Sequence, residues 1–286
     1  MSTVIRKILL LSLAFVLCFA FGGCVEKEET LTPEQIEQIV IAAVNAVAGA
    51  ETYKYDMDMF MTMAVVGGTD PGTMTMGANT TGVIDNTNQE MQIVMDTTMN
   101  VPQQEEHVTQ VEMYIVDEWV YVKSSVDEQW MKTGLTPEMW ETQKQAEQQI
   151  ELLKTAKEVK FLGTEVVDGI QCYVFEIVPD MEKLAEYLAQ QQSMLYGGLD
   201  IAELVELFAN MSIQIKEWVA EDSLFLTKAA THMLMELSPE DVGATEEDFE
   251  KWSIDTTVEV LAHDYNQPVS VELPPEALEA SEIATT

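Results

Sequence analysis

Hydrophobic and polar residues alternate with a period of two along much of the chain. In residues 53–63, tyrosine and methionine at odd positions alternate with lysine, aspartate, phenylalanine and threonine. A period of two places successive side chains on opposite faces of a β-strand. The pattern therefore predicts a strand with one apolar face and one mainly solvated face. The same alternation around Met74 and Met76, and from Met91 to Met99, predicts two more strands.

Short turns separate the later strands. Hairpin turns are predicted near residues 117–118, at Asp168 and Gly169, and near residues 221–222. Asp-Gly is a favoured two-residue hairpin pair because both positions adopt positive φ readily. The run WSIDTTVEVLAHDY, a turn around residues 266–268 and the run VSVEL predict the last two strands. About ten or eleven strands with short connections indicate an antiparallel sheet.

Three segments have the periodicity of helices. Thr32, Pro33 and Gln35 have the pattern of an N-cap, a first-turn proline and a capping box, and the helix is predicted to end at Gly49. Residues 136–158 and 180–210 are predicted as helical insertions. A large sheet with few helices must curl to bury its apolar face. We therefore predict an α+β fold, a strongly curved antiparallel sheet (a half-barrel) with helices packed on its concave face.

The N-terminal residues read as an export signal in three parts. Arg6 and Lys7 are followed by an uncharged apolar run over residues 8–21, which is too short for a comfortable membrane span. Gly22 and Gly23 then precede Cys24, the pattern of a lipoprotein cleavage site. We predict cleavage before Cys24 and lipidation of its thiol; an uncleaved anchor helix is the alternative. Both place the domain outside, tethered to a prokaryotic cytoplasmic membrane or cell surface.

The predicted boundaries follow from this signal. Residues 1–23 form the signal peptide, 24–31 an acidic tether, 32–275 a single ligand-binding domain, and 276–286 a flexible tail. The sequence has no repeat at a solenoid period and no break in composition that would indicate a second domain.

The charge balance excludes several partners. The full chain carries a net charge of −36, and cleavage before Cys24 would leave 12 lysines, no arginine and 50 acidic residues, or −38. Nucleic-acid phosphates and anionic lipid head groups both require basic side chains, so neither is an expected partner. A surface this acidic repels its own copies, and a monomer is expected.

Enzyme motifs are absent from the sequence. There is no GxSxG, HExxH, Walker, GxGxxG or CxxC motif, and the three histidines (His107, His232 and His263) fall in different predicted segments. We expect no catalytic residue, no cofactor and no metal site. Cys172 has no partner once Cys24 is lipidated, so it is predicted to be a buried core thiol and no disulfide is expected.

Methionine is unusually abundant, with 18 residues, ten of them between Met57 and Met113. Three interpretations remain open: a methionine-rich core, a pocket wall that adapts to irregular apolar ligands, or a copper(I) site built from thioethers. No histidine or cysteine alternates with these methionines, which counts against copper. The predicted ligand-cavity residues share one strand face and are Tyr55, Met57, Met59, Met61, Met74, Met76, Met91, Ile93 and Met95.

The order of these features resembles the LolA-like lipoproteins, in particular the LppX/LprG branch. The resemblance rests on the lipobox, the acidic linker, the N-terminal helix, the Met/Tyr-rich strands and the hairpins carrying DEWVYVK and DEQWMK. The runs WVAEDSL and YNQPV, the latter followed by Pro274 and Pro275, are similar to later parts of that family. The resemblance implies a half-barrel around helices, with an apolar cavity for lipids or lipidated molecules.

The sequence thus favours a non-enzymatic, membrane-anchored lipoprotein that binds an apolar ligand, plausibly lipid, in a methionine-lined cavity. One alternative is a structural or interaction lipoprotein with a solid core and no ligand. A lesser alternative is methionine-based copper(I) binding.

Overall fold

The computed structural model describes residues 30–68, 71–141, 144, 146, 156–184, 211–239, 245 and 250–282. Contacts divide the chain into two compact units, Met1–Thr30 and Leu31–Thr286, and the second contains every helix and strand described below. Cys24, the predicted signal peptide and most of the predicted tether lie outside the described residues. Within the described part of the chain, no helix has both the length and the apolar character needed to cross a membrane.

Helix α1 (Pro33–Ala48) begins as the sequence predicts. The Thr32 Oγ1 accepts a hydrogen bond from the Gln35 N–H at 3.3 Å, and the Gln35 Oε1 accepts one from the Thr32 N–H at 2.9 Å. This reciprocal pair satisfies two backbone donors that helix geometry leaves without partners. Ala43, Val44 and Val47 are buried and join the main hydrophobic core, so the apolar stripe of α1 packs on the sheet.

Twelve strands form one large, curved, open sheet. All neighbours are antiparallel except β12 and β6, and the spatial order is β12-β6-β5-β4-β3-β2-β1-β11-β10-β9-β8-β7. The strands are β1 (Thr52–Val66), β2 (Gly72–Asp85), β3 (Glu90–Asn100), β4 (His107–Val116), β5 (Trp119–Ser124), β6 (Trp130–Gly134), β7 (Ala156–Val167), β8 (Ile170–Pro179), β9 (Met211–Ala220), β10 (Leu226–Leu237), β11 (Lys251–His263) and β12 (Ser281–Glu282). The sheet is open because its edge strands, β12 and β7, are not paired with each other, and β1 lies in its middle, against β11.

The sheet has two distinct faces. Residues directly opposite each other in neighbouring strands point to the same face, and no register shift interrupts the pairing of β3, β2, β1 and β11. We call the face that carries Tyr53 and Tyr55 the core face, because both belong to the main core together with α1. The opposite face, which carries Lys54 and Asp56, is called the outer face.

The hairpin turns are confirmed where the sequence predicted them. Asp117 and Glu118 join β4 to β5 with φ of 51° and 65°, and Asp168 and Gly169 join β7 to β8 with φ of 48° and 84°. Positive φ at both central residues gives the turn a twist that matches the twist of the flanking strands.

Two predicted elements were wrong in part. Residues 269–273 form no strand; Val271 and Leu273 instead pack against a second cluster formed by Tyr114, Tyr121 and Trp130 on the outer face. Helix α2 is described only for Pro137–Glu141, and Ala156 already starts β7, so residues 156–158 belong to a strand. Their strand character follows from pairing with β8, where Ala156 lies opposite Pro179.

Among the described residues the fold is mostly β, with few helices for the predicted α+β class and twelve strands rather than the ten or eleven expected. The second helical insertion, predicted over residues 180–210, lies outside the described residues except for its start, where residues 181–184 are helical. The packing of helices on a concave face accordingly stays a prediction. The tail predicted from residue 276 begins in a 3-10 helix, Pro275–Glu279, in which Ala277 is buried.

Candidate functional site

All nine predicted ligand-cavity residues lie on the core face of three adjacent strands. The central row runs from Met57 in β1 through Thr80 in β2 to Met95 in β3. On one side of this row Tyr55 lies opposite Gly82, which in turn lies opposite Ile93, and on the other side Met59 lies opposite Ala78. The remaining predicted residues occupy the same face through the pairs Met61 with Met76, Met63 with Met74, and Ile84 with Met91.

Further methionines extend this surface onto strands that are distant in sequence. Met233 lies opposite Thr256, which in turn lies opposite Met61, and Met235 lies opposite both Met211 and Ile254. The sequence analysis did not assign these residues to the site, although HMLMEL shows the same alternation. We call the following set the methionine face: Met57, Met59, Met61, Met63, Met74, Met76, Met95, Met99, Met113, Met211, Met233 and Met235.

Burial changes along the core face. At one end Tyr53, Tyr55, Ile84 and Met91 are almost completely buried. The residues of the methionine face are all half-buried. One end of the core face therefore belongs to a solid core, whereas the methionine face keeps part of its surface accessible.

Tyr55 marks the boundary between these two regions. Its ring lies directly against Gly82 of β2, in the space that a Cβ atom would occupy in any other residue. Burial raises the pKa of Tyr55 above its ordinary value of 10.0. The ring therefore stays neutral at physiological pH and acts as the apolar floor beside Met57.

Glu217 in β9 is an ionisable residue enclosed in the core. It lies opposite Ala229 and Phe175 on the core face, and its side chain is 0% exposed. Neither of its carboxyl oxygens has a hydrogen-bond partner among the described residues. Burial holds the pKa of Glu217 well above its ordinary value of 4.5, so the group is kept as a neutral carboxylic acid. A buried group without a hydrogen-bond partner lowers the stability of the folded state by about 1–3 kcal/mol.

The outer face has different chemistry. Lys228 Nζ and Glu259 Oε2 are 2.5 Å apart, and His232 Nε2 and Asp255 Oδ1 are 2.9 Å apart. A cavity of about 710 Å³ opens on this face between β2 and β9, with Asp58, Phe60 and Lys216 among its lining residues. Its lining combines the charged side chains of Asp58, Lys216 and Glu259 with apolar ones such as Phe60, and the sequence analysis did not anticipate it.

The histidines do not come together. His232 and His263 lie on the outer face, each beside an aspartate, and no described group of three or more His, Cys, Asp or Glu side chains could hold a metal ion. His107, however, lies opposite Met99 on the core face. No histidine alternates with the methionines within a strand, but strand pairing brings His107 into their row.

Cys172 lies on the outer face of β8, where it packs with Val174 and Trp218. It is a free cysteine with a fully buried side chain, in agreement with the predicted core thiol. Burial raises the pKa of its thiol, which keeps the sulfur in its unreactive protonated form.

Comparison with known proteins identifies the family. The family described as "Family of unknown function (DUF6612)" matches residues 35–282. The chain belongs to this family. The DUF6612 match covers the described sheet from α1 to β12, and no curated protein matches the chain.

Several solved structures are similar to this DUF6612 chain. The lipoprotein LppX of Mycobacterium tuberculosis is 14% identical, over 84% of this chain and 100% of that chain, with a TM-score of 0.41. LprF from Mycobacterium bovis is 12% identical, over 86% and 99%, with a TM-score of 0.44. A LolA superfamily protein from Nitrosomonas europaea is 10% identical, over 83% and 94%, with a TM-score of 0.21. They include a lipoprotein and a LolA superfamily protein.

Proposed function

We propose that this protein is a non-enzymatic lipoprotein, anchored outside the cytoplasmic membrane through a lipid on Cys24, that holds an apolar ligand of the lipid class. The ligand lies against the methionine face, with Tyr55 and Ile93 as the floor at its buried end. After cleavage before Cys24 the chain would have 12 lysines, no arginine and a net charge of −38, which fits an uncharged ligand better than an anionic one.

The observation that carries this proposal is the concentration of half-buried methionines on one face of the sheet. Methionine side chains are unbranched and polarizable, so they adjust their shape to an irregular apolar partner. A solid core of this size would be expected to use leucine, isoleucine and valine, whose side chains lose less conformational entropy on packing. The neighbouring residues on the methionine face are mostly small or uncharged, such as Ala78, Thr80 and Thr256.

Replacing Met57, Met59 and Met95 together by glutamine is expected to lower lipid affinity by about 100-fold, because each loses roughly 1 kcal/mol of apolar contact with the ligand. The lipid bound by the purified protein is extracted and quantified for each variant. All three side chains are half-buried, so the folded structure is expected to tolerate the change.

The matched control is Phe60→Gln in the same strand. Phe60 points to the outer face, is 53% exposed and lines the charged cavity. Its replacement is expected to leave lipid binding unchanged. If Phe60→Gln lowered the bound lipid while the triple variant retained it, the ligand would occupy the outer face and the proposal would be wrong.

A second candidate function is copper(I) binding, and one observation favours it. His107, Met99, Met76 and Met61 form a continuous row across β4, β3, β2 and β1 on the core face. Directly opposite residues in antiparallel strands have Cβ atoms about 4.5–5.5 Å apart, which allows neighbouring imidazole and thioether groups to share a soft metal ion.

Titration with copper(I) against a chromogenic competitor tests this candidate. A copper site predicts uptake of one equivalent that disappears in both His107→Ala and Met76→Leu. Met113→Leu, on the same face but outside this row, serves as the control and should not change uptake. Equal uptake by all four proteins, or none by the wild type, would rule out the row as a copper site.

A further inference from the structure

Glu217 is isolated among apolar residues on its face of the sheet. On the core face of β1, β2, β3, β9, β10 and β11, it is the only Asp, Glu, Lys or Arg among the described residues. The outer face of the same strands carries many, including Lys54, Asp56, Asp58, Asp96, Lys216, Lys228, Glu236, Asp255 and Glu259. A single acidic residue on an otherwise apolar face therefore requires a specific explanation.

The described residues around Glu217 offer its carboxyl group no hydrogen-bond partner. Its neighbours on the same face are Ile215 and Val219 along β9, with Ala229 and Phe175 opposite, and all four belong to the main hydrophobic core. No described residue donates a hydrogen bond to either carboxyl oxygen or accepts one from them. Buried polar groups in folded proteins are nearly always paired, so a carboxyl group left in this state points to a partner other than the described residues, and a bound ligand would supply one.

A second polar atom without a partner lies in the same row. The row runs from Thr80 through Met57, Val260 and Ala229 to Glu217, and the buried Thr80 Oγ1 has no hydrogen-bond partner among the described residues. Four strand spacings separate the two ends, which is about 19 Å measured along the sheet. The row thus has a buried oxygen atom without a described partner at each end. Val260 and Ala229 between them are buried as well, so a ligand reaches Glu217 only by displacing the groups that cover this row.

We propose that Glu217 is the polar anchor of the ligand site and hydrogen-bonds to an acyl carbonyl oxygen of a neutral long-chain lipid whose chain lies along the row toward Met57 and Thr80. This inference rests on the proposed function and specifies its ligand class. Thr80 Oγ1 offers a hydrogen bond at the far end to a second oxygen-bearing group of the same molecule.

The chemistry of the site favours an uncharged acceptor. Because burial raises the pKa of Glu217 far above that of a free carboxyl, the group carries a proton and its O–H donates the hydrogen bond. A carboxylate or phosphate group of a ligand at this point would place a charge in an apolar core with no cation on the same face of the six strands. An ester or amide carbonyl accepts the hydrogen bond from Glu217 without placing a charge in the apolar core.

The test compares two probes of which only one contains an ester group. Methyl palmitate and a straight-chain alkane of similar length are supplied from cyclodextrin to the delipidated chain from residue 25 onward, which contains the whole second compact unit. We expect the wild type to prefer the ester by at least tenfold, Glu217→Gln to retain most of that preference through its amide N–H, and Glu217→Leu to lose it.

Glu176→Leu, on the outer face of β8, is the matched control and should keep the wild-type preference. Glu217→Met provides a second apolar variant, and it should behave like Glu217→Leu. If both apolar variants bind the ester over the alkane with the wild-type ratio, the anchor role is wrong although the lipid-binding function stands. If the wild type takes up neither probe, the proposed function itself fails.

Discussion

Replacing Gly82 by alanine is expected to lower the free energy of unfolding by about 1–3 kcal/mol. A Cβ atom at this position would lie 2.0 Å from Cε1, 2.4 Å from Cζ and 2.7 Å from Cδ1 of Tyr55. The ring of Tyr55 is rigid and its side chain is 1% exposed, so it can move only by displacing other core residues. Chemical denaturation of the two proteins, followed by circular dichroism, measures the difference.

Gly77 in the same strand provides a matched control. It lies on the outer face, and a Cβ atom there would approach nothing closer than 4.0 Å, from the Met59 carbonyl oxygen and Phe60 Cδ2. Gly77→Ala is therefore expected to be neutral or to stabilise by up to about 1 kcal/mol, since alanine restricts the unfolded chain. Equal destabilisation by both substitutions would show that the close packing of Tyr55 on Gly82 does not exist.

The stability of the wild type is expected to fall as pH rises, through the ionisation of Glu217 in the unfolded state. The unfolded chain releases this proton near a pKa of about 4.3, whereas burial holds the folded pKa well above that value. Above pH ~4.3 ionisation of Glu217 therefore stabilises the unfolded state, whereas the folded state keeps its proton and is not stabilised in this way. The free energy of unfolding therefore falls by about 1.4 kcal/mol per pH unit until the pH reaches the folded-state pKa of Glu217.

Glu217→Gln isolates this contribution from the general repulsion among the other acidic residues. We expect its stability relative to the delipidated wild type to increase steadily between pH 5 and pH 7, with unfolding measured in urea at each pH. Glu176→Gln removes a half-buried carboxyl that pairs with Lys160 at 3.3 Å on the outer face, and it serves as the control for the loss of one negative charge. A constant difference between wild type and Glu217→Gln across this range would mean that Glu217 is ionised in the folded protein.

Local patterns in the sequence predicted local features of the structure. Alternation over residues 53–63 placed the side chains of this part of β1 on the correct faces, because a period of two depends only on strand geometry. The capping box of Thr32 and Gln35 located the start of α1, since its hydrogen bonds join residues three apart. The same local reasoning failed for residues 269–273, where alternation is present but the chain packs on the cluster of Tyr114 and Trp130 instead of pairing.

Long-range pairing could not be obtained from one sequence. Nothing near β1 indicates that β11 is its neighbour, and that pairing is what brings Met233 and Met235 beside the predicted site. His107 joined the row of Met99 and Met76 for the same reason. The position of Glu217 on the apolar face could have been predicted from the sequence. The run Ile213-Gln-Ile215-Lys-Glu217 places an acidic residue on the apolar side of the alternation. The predicted roles of Cys24 and of the nine cavity residues remain proposals.

Native mass spectrometry of the domain that begins after Cys24, purified from its own cell envelope, tests the central claim most directly. The account predicts a bound apolar molecule that adds a defined mass, is released on denaturation and is identified as a neutral acyl lipid. The domain should also regain such an adduct when the delipidated protein is mixed with that lipid. A single mass equal to that of the chain, unchanged by added lipid, would contradict the account and favour a structural lipoprotein with a solid core.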